Sequence, residues 1–154
     1  MTGMRCKMAS FAVVGKDGST RNGAGFVQAL WQEANGAFDQ IAHLAIRDEK
    51  GRPIGIWGAM TDFSRTFQPW EDDFSKGLYL AGVQCAPDAA IPAGWAKWIV
   101  PAFEYCCIRA QGSDAFKKAL AQFQALGDGL AGAVQEFYDA QTGACTFFFP
   151  IARL

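Results

Sequence analysis

The sequence predicts an α+β fold of two strand–helix–strand–strand repeats, related by a pseudo-two-fold axis. Three observations carry this. Short apolar, β-rich runs recur between turn residues. Two longer segments place apolar residues at i, i+3 and i+4, the spacing of a helix with one buried face. The order of these elements in the first half returns in the second. Two such modules pair into an antiparallel sheet with helices on one face and a ligand cleft between the repeats.

In chain order, Met8 to Val14 reads as a strand closed by a turn at Gly15-Lys16-Asp17-Gly18. A helix follows, with Asn22 as its N-cap and Phe26, Val27, Leu30, Trp31, Ala34, Phe38, Ile41 and Leu44 on its apolar face. Gly36 weakens its middle. Asp48 to Pro53 is a polar turn, Ile54 to Met60 a strand, Phe63 to Ser75 an aromatic-rich loop and Leu78 to Val83 a strand. Ala86 to Gly94 links the halves. Trp95 to Ile108 holds a strand pair bent around Pro101. Ser113 caps a helix carrying Phe116, Ala119, Leu120, Phe123 and Leu126, which Gly127 stops. Leu130 to Tyr138 and Cys145 to Ile151 are strands around a turn at Asp139 to Gly143. One domain therefore spans residues 1–154, with repeats at about 8–85 and 95–154. Gly55 to Asp62 and Gly132 to Asp139 echo each other, each running from a glycine through apolar residues to an aspartate.

Composition narrows the function. The chain has 154 residues, 51% of them apolar and 19% charged, with a net charge of −1. A chain of this size and apolarity builds its core without a metal or disulfide. No cluster of Lys and Arg offers the phosphate grip of a nucleic-acid-binding surface, so no direct nucleic-acid binding is expected. No signal peptide and no membrane-length apolar run is visible. The five cysteines contain no CxxC and the one histidine, His43, lies far from them in sequence, so no metal is expected and the thiols read as reduced and cytoplasmic. Gly23-Ala24-Gly25 precedes a helix, but no GK[ST] follows and no GxSxG occurs. No cofactor is expected.

Aromatic residues make up 14% of the chain and concentrate on strands: Trp57, Tyr79, Tyr105, Tyr138, Phe147 and Phe149, with Trp70 in the long loop. Two helices cover one face of a sheet. The second face then keeps an apolar aromatic groove, the usual lining of a small-molecule site. Two acids lie in this setting, Glu136 and Glu104. A carboxylate inside such a groove has its pKa raised by burial, and either binds a cation or acts as a general acid or base. On an edge strand it would face solvent instead.

The run Gly55-Ile56-Trp57-Gly58-Ala59-Met60, followed by Asp62-Phe63-Ser64, Pro69-Trp70-Glu71 and Gly77-Leu78-Tyr79-Leu80-Ala81-Gly82-Val83, resembles GyrI-like proteins. These are similar to the effector-binding domains of AraC-type and multidrug-sensing regulators. Trp98 to Tyr105 resembles that family's "IPAG-x-Y" segment, with Phe103 in place of its glycine. Glu136-Phe137-Tyr138-Asp139 and Phe147-Phe148-Phe149-Pro150-Ile151 resemble its acid-x-Tyr and apolar-Pro-Val ending. The likeness runs from about Met8 to Arg153. It implies a stand-alone domain that binds a lipophilic, cationic aromatic compound beside an acid, for which Glu136 fits best. Since the likeness already begins near residue 8, no helix-turn-helix part like that of the regulators is expected. The resemblance also implies two alternatives. One is a hydrolase of reactive small molecules using the cleft acid with Tyr105 or Tyr138. The other is a gyrase-inhibitor-like module acting on a protein partner, gyrase or a transcription regulator, through the Glu71-Asp72-Asp73 loop. Edge strands could also pair into a homodimer.

Overall fold

The computed structural model describes residues 4–154. Its order is β1 (Met4–Met8), β2 (Phe11–Ser19), α1 (Phe26–Gly36), β3 (Ile56–Thr61), α2 (Glu71–Phe74), β4 (Leu78–Cys85), β5 (Ala96–Val100), β6 (Phe103–Ala110), α3 (Ala115–Ala125), β7 (Gln135–Tyr138) and β8 (Cys145–Arg153). All eight strands form one antiparallel sheet in the order β1-β6-β8-β7-β3-β4-β2-β5. The central strands β7 and β3 belong to different halves. On either side of them the order is repeated: β7-β8-β6 on one flank, β3-β4-β2 on the other.

The outermost strands are exchanged. β1 leads into β2 through Ala9 and Ser10, yet pairs with β6. β5 leads into β6 through Pro101 and Ala102, yet pairs with β2. The register runs through both breaks unchanged, with Met8 opposite Phe103 and Phe11 opposite Val100. Two long bent strands thus form one ladder whose halves lie at opposite ends of the sheet order. The sheet must therefore curl round on itself.

This closure corrects one expectation. The face away from the helices holds no open groove, because it is an interior core. Phe11, Val13, Trp57, Ala59, Phe67, Leu80, Trp98 and Val100 fill it, with Met8, Phe137 and Phe148 packed against them. Trp57 touches Phe11, Phe137 and Phe148 at ring separations of 4.8, 5.0 and 5.2 Å. The alternate residues of each strand point outward to the helices. α1 covers Ala12, Val14, Tyr79, Ala81 and Val83. α3 covers Cys106, Ile108, Phe147 and Phe149.

Several boundaries also differ. The glycines at 15–18 make no turn, since β2 continues through them paired to β4. Gly15 and Gly82 lie opposite each other, and a Cβ on either would collide with the facing backbone. They serve close strand approach. Asn22 caps no α-helix: its Oδ1 accepts from the Ser19 amide in a capping box around a 3-10 turn, and α1 is N-capped by Gly25. α1 ends at Gly36, and Phe38 to Leu44 continues as 3-10 turns. α3 is capped at Asp114, one residue beyond Ser113. β7 is only four residues long. Residues 130–134 stay irregular because their amides bond elsewhere, Ala131 to the Pro150 carbonyl and Ala133 to that of Phe67. The echo of Gly55 and Gly132 is out of structural register. It would match Trp57, which packs in the interior, with Val134, which packs with the cluster under α3.

Gly82→Ala is expected to destabilise the fold by about 3 kcal/mol or more, because rigid backbone rather than a side chain must move. Urea denaturation checks this, and an unchanged midpoint would contradict the packing described.

Candidate functional site

β7 lies in the middle of the sheet, so its outward side chains stand between the two helices. Glu136 faces Gly58 of β3 and Phe147 of β8. A Cβ at Gly58 would collide with the Tyr79 hydroxyl and lie 2.5 Å from Glu136 Oε1. This glycine therefore makes the room in which the carboxylate and the Tyr79 phenol meet.

Four side chains form one hydrogen-bonded chain. Trp31 Nε1 donates to the Tyr79 hydroxyl at 3.0 Å. The Tyr79 hydroxyl donates to Glu136 Oε1 at 2.6 Å. The Tyr138 hydroxyl donates to the same oxygen at 3.1 Å. Glu136 Oε2 makes no hydrogen bond with the described residues, and the side chain lines a cavity. No Lys or Arg pairs with this carboxylate among the described residues. Burial raises its pKa, and the two phenol hydrogen bonds hold it back toward the ordinary range. Burial and the neighbouring carboxylate together push the Tyr79 and Tyr138 phenols far up, so both stay protonated donors. The Cys145 thiol is pushed up to about 12, first by burial and then by Glu136.

Glu136 divides two spaces. On one side is an apolar cavity of about 180 Å³, lined by Val27, Met60, Trp70, Phe74, Tyr79, Phe116 and Val134. Val27 and Phe116 are each the second residue of their helix, so the first turns of α1 and α3 converge on it. Trp70 is fixed by an Nε1 hydrogen bond to the Leu78 carbonyl and stacks on Phe26. Phe74 closes the outer side against Phe116, ring centroids 5.5 Å apart. It sits in a left-handed turn with φ of 52°, 56° and 63° at Asp72, Asp73 and Phe74, each of which costs roughly 1–2 kcal/mol. On the other side of Glu136 is an open polar cleft of about 720 Å³ whose walls include Arg109, Ser113, Tyr138, Thr142 and Cys145.

Of the residues singled out in the sequence, Glu136, Tyr79 and Trp70 meet at the apolar cavity, and Tyr138 and Phe147 line the cleft. Phe149 lies behind them, stacked on Phe123 at 4.6 Å and near Phe116. Trp57 and Tyr105 are elsewhere, in the interior core, where neighbouring aromatic rings enclose them. Glu104 is on the β1–β6 pair opposite Lys7 and lines neither space. Sequence reading missed Phe74, Met60, Gly58 and the helix residues Val27, Trp31 and Phe116 as site components. Their helical spacing marked the last three only as core. Among the described residues no group of three or more His, Cys, Asp or Glu is placed to hold a metal ion. No helix there is long and apolar enough to cross a membrane.

No family model and no curated protein matches the chain. Solved structures of the same fold do. One is SAV2435 bound to tetraphenylphosphonium, 20% identical with a TM-score of 0.62 over 98% of this chain and 94% of that one. A second, from Staphylococcus aureus MU50, is described as a bacterial transcription regulation protein. It is 18% identical with a TM-score of 0.61 over 99% of both chains. A third is an integron cassette protein of Vibrio cholerae, 13% identical with a TM-score of 0.60 over 99% and 97%. At these identities the likeness establishes the fold.

Tyr79→Phe removes the shorter hydrogen bond to Glu136, and hydrogen bonds to a carboxylate favour its charged form. The Glu136 titration is expected to move to higher pH, read by carbon NMR of the side-chain carboxyl. No movement, or movement downward, would contradict the network.

Proposed function

We propose that this chain is a small-molecule-binding protein of the GyrI-like kind, taking a lipophilic cation into the apolar cavity beside Glu136. The observation that carries the reading is a half-buried carboxylate with two phenol donors on one oxygen and, among the described residues, no basic partner for the other. An acid so placed lacks a countercharge, and a ligand cation supplies one. Trp70, Phe74 and Phe116 add apolar area, and aromatic faces attract cations by about 0.5–2 kcal/mol each. The neighbour carrying tetraphenylphosphonium supports the same class of ligand. The cavity is smaller than the roughly 300–1,000 Å³ of ordinary ligand sites. Phe74 must therefore swing away from Phe116 as a ligand enters, and its strained turn makes it the wall that moves most readily.

Titration with tetraphenylphosphonium, followed by the fluorescence of the five tryptophans, is the first test. Saturable quenching is expected, because Trp70 lines the cavity. Glu136→Gln should weaken binding by about 1.5–3 kcal/mol, the usual worth of a contact to a charged group, while a neutral triphenyl compound loses little. Equal loss for both would contradict an electrostatic role.

The pH dependence has a defined sign. The pKa of Glu136 is raised on folding, so the free folded protein is favoured with this group protonated. That contribution is fully present below the ordinary value near 4.5 and is lost as pH rises through the raised pKa. A cation needs the carboxylate. Affinity should therefore rise with pH through the raised pKa and then level off, as calorimetry across that range would read. A flat profile, or one that falls, would count against Glu136.

The Tyr138 hydroxyl on the same acid favours a second reading, hydrolysis of a reactive small molecule with Glu136 as proton donor. Product analysis with electrophilic substrates separates the two, since only the hydrolase reading expects turnover that Glu136→Gln abolishes.

A further inference from the structure

A second site lies on the outermost strand pair, away from Glu136. Cys6 of β1 is opposite Tyr105, and Cys107 of β6 is two residues further along on the same side of the sheet. Their sulfur atoms are 3.2 Å apart. The Tyr105 hydroxyl reaches toward the same place from the interior, buried and without a hydrogen-bond partner among the described residues. Cys6 and Cys107 are both partly buried; Cys6 lies on the sheet's outermost strand, and the Cys107 thiol is pushed far up by burial and by Cys6. The adjacent Cys106 points the other way, into the core beneath α3.

We propose that Cys6 and Cys107 are a peroxide-oxidisable pair that closes to a disulfide in the folded protein. The co-reactant is a hydroperoxide. The Cys6 thiolate attacks its terminal oxygen, a sulfur–oxygen bond forms and the peroxide bond breaks. The departing alkoxide or hydroxide takes a proton. Cys6 becomes a sulfenic acid, oxidised by two electrons. The Cys107 sulfur then attacks the Cys6 sulfur, which releases hydroxide that leaves as water with the Cys107 proton. Two thiols and one hydroperoxide thus give one disulfide, one alcohol or water, and one water. The order follows from access, since Cys6 can meet the oxidant and Cys107 is already within reach of Cys6. The crosslink ties β1 to β6 where the exchanged strands begin, fixing the end of the long ladder.

The test treats the native full chain with equimolar hydrogen peroxide, alkylates the remaining thiols and maps tryptic peptides without reduction. The expected product joins Cys6-Lys7 to the peptide Trp98 to Arg109, two hydrogens lighter than the sum of the two. It should persist in Cys106→Ser and disappear in Cys6→Ser and in Cys107→Ser. The proposal fails if Cys107 remains alkylatable while Cys6 is oxidised to a sulfinic acid. It fails equally if the crosslink disappears in Cys106→Ser, or if neither thiol is oxidised.

Discussion

Everything in this fold depends on one ladder. The segments 4–19 and 96–110 pair in a single register through two breaks, and each break turns a strand from one end of the sheet to the other. That constraint curls the sheet and turns one of its faces into an interior. Aromatic residues that would line a groove on a flat sheet instead become core: Trp57, Trp98, Phe137 and Phe148. The cavity beside Glu136 therefore lies on the outer, helix-bearing face, where the two helices leave the centre open over β7 and β3.

The site follows from what the centre lacks. Glu136 on β7 faces Gly58 on the neighbouring central strand β3. An acid under a helix–sheet interface needs its surroundings adapted, and here a neighbouring glycine, two phenols and an indole accommodate it. The phenols donate to a single oxygen and hold the charge partly stabilised. The other oxygen has no hydrogen-bond partner among the described residues. A lone half-buried carboxylate is a poor contributor to stability, yet three side chains, Tyr79, Tyr138 and, through Tyr79, Trp31, hold this one in place.

Much of this was legible in the sequence, for identifiable reasons. Period-2 and period-3.6 patterns mark elements whichever neighbours they meet, so the strand–helix–strand–strand order could be read directly. Glu136 stood out because an acid between Val134 and Phe137 contradicts its surroundings. The exchange of β1 and β5 could not be read, since no local residue records which distant strand a segment pairs with. That gap explains the misplaced groove, and with it the inclusion of Trp57 and Tyr105 beside Glu136. Gly15 and Gly18 resembled a turn because glycine serves turns and close strand approach alike. Phe74 escaped notice because its position depends on a left-handed turn that its aspartates do not announce.

The most direct test of the central claim is a crystal structure of the protein with tetraphenylarsonium, whose arsenic is located by its anomalous scattering. The account requires one strong arsenic peak in the cavity between Val27 and Phe116, close to Glu136 Oε2, with Phe74 displaced. A peak at some other surface with the cavity empty would contradict it.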